Sequence, residues 1–209
     1  MSFLAKGSIN TVTLGFTGAS GVQYGLGLLA QLVRLDKKIA LLISQAAMQV
    51  FSAETELRLP DNAKAISQYF AKRYNAKPGQ IVVYEKDDWL APIASGSNAN
   101  DAMVICPCST GSLSAIALGA SNNLLERAAD VMLKEGKPLI LVVRETPLSV
   151  IHLEHMLKLA KLGVCILPPS PGFYFQPTAV QDLIDFVVAR ILDRLNIPHA
   201  MIRRWSEVG

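Results

Sequence analysis

Six short apolar runs, separated by stretches with helical periodicity, constrain this chain more than anything else in it. The runs are Val12–Phe16, Ile39–Ile43, Ile81–Tyr84, Ala102–Ile105, Leu139–Val143 and Val164–Leu167. Helical patterns cover Val22–Leu35, Ala46–Glu54, Ala63–Tyr74, Ser112–Ala117, Leu125–Lys134, Val150–Leu162 and Ala179–Leu195. Alternation of this kind predicts a mostly parallel sheet with helices on both faces, since a parallel crossover needs a helix to return the chain. A run such as Leu139–Val143 is apolar at every position, as a central strand covered on both sides must be. The 209 residues suffice for one α/β domain with a sizeable core. Residues 1–10 read as a disordered lead-in and 11–209 as the domain.

Several function classes are disfavoured. Hydrophobic residues make up 51% of the chain, yet no apolar run reaches the length of roughly 18 residues that spans a bilayer. The start of the chain lacks the basic and apolar pattern of a signal peptide, so cytoplasmic residence is expected. Net charge is +3 with basic residues spaced singly, which suits small anions better than nucleic acid. Of the three cysteines, Cys106 and Cys108 flank a proline at the end of a strand-like run and Cys165 lies in another; all three read as buried thiols. His152 and His155, three apart, lack further metal ligands at suitable spacing, and a solvated helix face is expected there. No metal site is expected.

The richest segment is Thr17-Gly18-Ala19-Ser20-Gly21, where the first strand runs into a turn and then a helix. Glycine lets backbone N–H groups approach an anion, and a helix start adds partial positive charge. A phosphate fits such a turn, with Ser20 within reach; a tight turn without ligand fits the same residues. The spacing Gly18-x-x-Gly21-x-x-x-Gly25 departs from the dinucleotide fingerprint, and the second strand ends at Ser44 rather than at an acidic residue. A nicotinamide cofactor is therefore disfavoured, while a mononucleotide phosphate stays open.

Ligands of doubly wound sheets bind outside the carboxyl ends of the strands. Those ends carry Gly18–Ser20, Ser44, the stretch 87–98, Ser109-Thr110-Gly111-Ser112, Arg144-Glu145 and the aromatic segment 168–177. The hydroxyls at 109–112 serve equally as a helix cap. Arg144 and Glu145 emerge together from a buried strand, as working groups or as a local ion pair. Arg127 and Lys134, two turns apart, and Arg190 and Arg194 have acidic neighbours, so solvated faces are the simpler view of them on pattern alone. Phe173-Tyr174-Phe175, stiffened by prolines, reads as a lid or a subunit contact.

Together these segments resemble the flavin prenyltransferases of the ubiquinone pathway. The resemblance is carried by Thr17–Gly21, Ser44–Ala47, Ala94–Ser97, Val104–Ser109, Glu126–Val131, Arg144–Pro147 and Pro171–Tyr174, in that order, from about Thr11 to Trp205. It implies a three-layer α/β domain, flavodoxin-like or Rossmann-like, in a trimer-based dodecamer. It further implies FMN held by Gly18, Ala19, Ser20, Ser44, Ser109, Thr110, Gly111, Ser112 and Arg144. Dimethylallyl monophosphate is then held by Tyr174 and Arg190, with Arg127 and Lys134 from a neighbouring subunit completing the phosphate site. Ser20, Glu54 and Glu145 match residues that handle or position protons, and Trp89 and Trp205 match aromatics near the prenyl group. The implied activity joins the dimethylallyl group to N5 and C6 of reduced FMN without a metal. Its product, prenylated FMN, serves a partner aromatic-acid decarboxylase. Two other readings are an FMN-dependent cysteine decarboxylase and a non-catalytic flavin-binding module. The first uses a histidine base early in the chain, where this sequence has none.

Overall fold

A computed structural model describes residues 8–202. Six strands, β1 (Thr11–Phe16), β2 (Lys38–Ile43), β3 (Ile81–Tyr84), β4 (Ala102–Cys108), β5 (Leu139–Val143) and β6 (Cys165–Ile166), form one parallel sheet in the order 3-2-1-4-5-6. This is the doubly wound order, and its connections reverse direction between β1 and β4. Among the described residues seven α-helices cover the sheet: α1 (Val22–Arg34), α2 (Gln45–Glu54), α3 (Ala63–Tyr74), α4 (Thr110–Leu118), α5 (Leu124–Lys134), α6 (Val150–Lys161) and α7 (Val180–Arg194). The expected α/β class and every expected element are present, with ends shifted by a few residues at most.

Strand alternation divides the core. Val104, Cys106, Ile140 and Val142 face one layer with α1, α2, α3 and α7; Met103, Ile105, Leu139 and Leu141 face the other, with α4, α5 and α6. Near its end β4 shifts register between Ile105 and Cys108, which turns Cys108 to the second layer and delivers Ser109 to the start of α4. Gly25 lets α1 lie directly on β1 and β4: a Cβ there would stand 2.2 Å from the Cys106 carbonyl oxygen.

The packed body begins earlier than expected. Ile9 is buried in the core, and the Asn10 and Thr11 N–H groups both donate to Asp101 at 2.9 Å. Residues 8–10 are therefore part of the domain, not of a disordered lead-in. Among the described residues no helix is long and apolar enough to cross a membrane.

Candidate functional site

The carboxyl ends of β1, β2, β4 and β5 meet along one rim. Thr17, ending β1, donates its hydroxyl to the Pro107 carbonyl (2.8 Å) and accepts the Ser109 N–H (2.7 Å). Ser109 caps α4, its Oγ accepting the Ser112 N–H and donating to Ser112 Oγ. Arg144 donates its backbone N–H to the Cys108 carbonyl and its Nε to the Ser20 carbonyl. Three turns expected to share a ligand are thus fastened to one another.

The start of α4 gathers the donors of this rim. The N–H groups of Thr110 and Gly111 have no partner among the described residues, and the hydroxyls of Ser109, Thr110 and Ser112 cluster there. The helix adds its positive end, and Arg144 stands half-buried nearby. Hydroxyls, free N–H groups and a guanidinium are the donor set that a phosphate monoester such as that of FMN requires. Beside Ser44 a cavity of about 370 Å³ is lined by Ile43, Ala46, Tyr84, Lys86, Asn123 and Leu125, apolar with a polar margin, as a flat heteroaromatic ring needs. Tyr84, Lys86 and Asn123 escaped the sequence reading; the strand-end rule applied to β3 leads to Tyr84 and Lys86, whereas Asn123 caps α5 and no local signal ties it to this cavity. Gly18 lets the β1 turn close onto α2, since a Cβ there would meet Ala46 Cβ at 2.5 Å.

The start of α1 is a correction. Glu54, at the end of α2, accepts the N–H groups of Gly21 (2.9 Å) and Val22 (3.3 Å). A carboxylate of the chain itself fills the place where the glycine-rich turn suggested a phosphate. Glu54, expected to handle protons, is engaged in tying α2 to α1. Gly21, at φ 100°, still supplies the left-handed turn. The Ser20 side chain is exposed at the rim.

Tyr174 and Phe175 pack against Phe186 of α7, with ring centroids 5.8 and 5.3 Å away, while Phe173 stays 71% exposed. Arg190 lies one turn beyond Phe186 on the same face of α7, paired with Asp193 at 2.6 Å. Tyr174 and Arg190 therefore share one surface. Arg127 and Lys134 belong to α5, in the opposite layer. Arg127 donates to the Ala94 carbonyl and pairs with Asp130, and Lys134 pairs with Glu135. One chain does not unite these four groups. Trp89 is about half exposed in the stretch after β3, and Trp205 falls outside the described residues.

Glu145 is exposed and accepts the Thr146 N–H instead of pairing with Arg144. His152 completes the cap of α6, and His155 shares a hydrogen bond with Ser114 Oγ, joining α6 to α4, where a solvated face was expected. His199 contacts Asp193. Burial raises the Cys106 thiol far above its ordinary range, and burial also pushes Cys108 up to about 12. Both stay protonated and unreactive. Among the described residues no three His, Cys, Asp or Glu side chains gather as a metal site.

Residues 4–192 match the family model described as Flavoprotein. The chain is 58% identical over 196 residues to flavin prenyltransferase UbiX of Pseudomonas aeruginosa, covering 94% of each. Its fold superposes with a TM-score of 0.83 on AnUbiX (PadA1), solved in complex with FMN and dimethylallyl pyrophosphate, at 38% identity over 94% of this chain and 97% of that one. A dodecameric FMN-dependent UbiX-like decarboxylase from Escherichia coli O157:H7 gives 0.82 at 38% identity, covering 93% and 98%.

Proposed function

We propose, because the chain belongs to the flavoprotein family as one of its flavin prenyltransferases, that it transfers a dimethylallyl group from dimethylallyl monophosphate to N5 and C6 of reduced FMN. The carrying observation is the donor set at the start of α4, with Arg144 clasped to Ser20 across the rim. Ser109, Thr110, Gly111, Ser112 and Arg144 hold the FMN phosphate. Gly18, Ala19, Ser20 and Ser44 line the path from it to the ring cavity. Reduced FMN, once bound, supplies the nitrogen and carbon that take up the prenyl group.

The leaving phosphate needs cations, and each charge-assisted hydrogen bond to it contributes about 1.5–3 kcal/mol. Arg190 and Tyr174 supply part of that field from the face of α7. Arg127 and Lys134 act at the site of a second copy, since α5 and α7 lie on opposite sides of the sheet. Glu145, exposed at the rim, accepts the proton lost from C6 on ring closure. Ser20 orients the donor, and Trp89 shelters the prenyl group. Homo-oligomerisation, as trimers within a dodecamer, is part of the proposal. Val150, Leu153 and Leu157, spaced as one face of α6, are 70%, 50% and 56% exposed and suit burial against another copy. Cytoplasmic residence and delivery of prenylated FMN to an aromatic-acid decarboxylase complete it.

The test is anaerobic incubation with reduced FMN and dimethylallyl monophosphate or diphosphate, followed by mass measurement of the flavin. A gain of one five-carbon unit is expected. An unmodified flavin with both donors refutes the reading, and carbon dioxide released from a cysteinyl peptide would support the decarboxylase alternative.

A further inference from the structure

We propose that Thr17 is a positioning residue for the flavin phosphate, its hydroxyl holding the start of α4 at a fixed distance from the Gly18–Ser20 turn. The inference rests on FMN binding as proposed above. The pairing of β1 with β4 ends at Gly15 and Ile105, and the register of β4 against β5 slips immediately afterwards. Past that point no strand ladder fixes the β4–α4 turn against the β1 turn. Thr17 takes over the task. It is 1% exposed, and its Oγ1 uses its one proton on the Pro107 carbonyl while accepting the Ser109 N–H across 92 residues of sequence. The Thr17 N–H also donates to Pro107, at 3.2 Å.

Fixing the Ser109 N–H fixes the cap. Ser109 Oγ then faces Ser112, and the N–H groups of Thr110 and Gly111 are left without a partner among the described residues. Arg144 closes the circuit on the other side through Cys108 and Ser20. Valine has the shape of threonine without the hydroxyl. It would take from the half-buried Ser109 N–H its acceptor, so the α4 turn would shift to find another partner. Serine keeps both hydrogen bonds and loses only a methyl group.

The experiment measures FMN dissociation constants by fluorescence titration for wild type, Thr17→Val and Thr17→Ser, with thermal midpoints of the ligand-free proteins alongside. Thr17→Val should weaken FMN binding about tenfold, equivalent to about 1.4 kcal/mol, and Thr17→Ser should restore it to within about twofold. Deuterium exchange of the ligand-free wild type should show the Ser109 amide protected. Wild-type affinity in Thr17→Val, equal weakening in Thr17→Ser, or a freely exchanging Ser109 amide would each overturn the proposal. Should Thr17→Val fail to fold, the serine variant and the exchange measurement still decide it. Failure of the wild type itself to bind FMN would instead overturn the functional reading.

Discussion

Substituting Gly25 by alanine sets two physical effects against each other. Alanine is the better helix former, and in an exposed helix it would stabilise the protein by about 0.8–1.0 kcal/mol. Gly25, however, faces the sheet. Its new Cβ would stand 2.2 Å from the Cys106 carbonyl oxygen, 2.3 Å from Phe16 Cε1 and 2.9 Å from Phe16 Cζ. Cys106 and Phe16 are fully buried, and one of the clashing atoms is backbone, so neither can step aside. Helix α1 would have to retreat by about 1 Å to restore ordinary contact. Overpacking of this kind costs about 1–3 kcal/mol, occasionally more, and here the upper end applies. The net loss is about 2 kcal/mol, which for a chain of this size lowers the thermal midpoint by about 4–8 °C. Gly27, on the same helix, is the control. A Cβ there meets only the methyl groups of Val188 and Ile184, at 3.1 and 3.3 Å, which a few tenths of an ångström relieve. Gly27→Ala should melt within about 2 °C of the wild type, its steric cost offset by helix propensity. The assay is circular dichroism melting of ligand-free protein at one fixed concentration, because association would shift the midpoint. A Gly25→Ala protein melting at or above the wild type would refute the reasoning.

Glu54→Ala leaves the Gly21 and Val22 N–H groups without their carboxylate and should cost about 2–3 kcal/mol of stability in thermal melts; a wild-type midpoint would show that the cap is dispensable. Asp101 is opposed by partial burial, yet the Asn10 and Thr11 N–H groups, the Thr11 hydroxyl and the Lys137 cation together hold its carboxyl below the usual range. Its stabilisation is therefore present above the unfolded value of about 3.9 and lost as pH falls through the lower folded value. Asp101→Asn should destabilise by about 1–2 kcal/mol near neutrality, a figure its partial exposure keeps modest, and the gap should close in strong acid; a gap independent of pH would refute the ionic contribution. Arg190→Ala should lower the rate of flavin prenylation at least tenfold with FMN affinity within about twofold of wild type; normal turnover would remove Arg190 from the phosphate site.

What the sequence disclosed, and what it did not, divides by distance along the chain. The strands were legible because their apolar runs are continuous, and the helices because their periodicity is local. The rim was legible too, because in a parallel sheet the strand ends alone say which turns converge. The partners of those turns were not legible. Glu54 reaches Gly21 from 33 residues away, and Thr17 meets Pro107 across 90. The same glycine-rich turn admits a bound anion or an internal carboxylate, and only the path of α2 decides between them. Ile9 looked like part of a tail because nothing local marks the single apolar residue that seals a core. Lys86 and Asn123 share a cavity with Ser44 only because the chain brings the ends of β2 and β3 to the start of α5.

The carboxylate seated on the first helix has a bearing on how variation in this protein should be interpreted. Changes at Gly21 or Glu54 strike the scaffold itself, so in a mutational survey they would register as lost expression whatever the flavin supply. On the proposed reading, changes at Thr110 or Arg144 would leave well-expressed protein that is colourless. Anyone wishing to retune this protein toward another nucleotide should therefore edit the fourth helix and leave the first one alone.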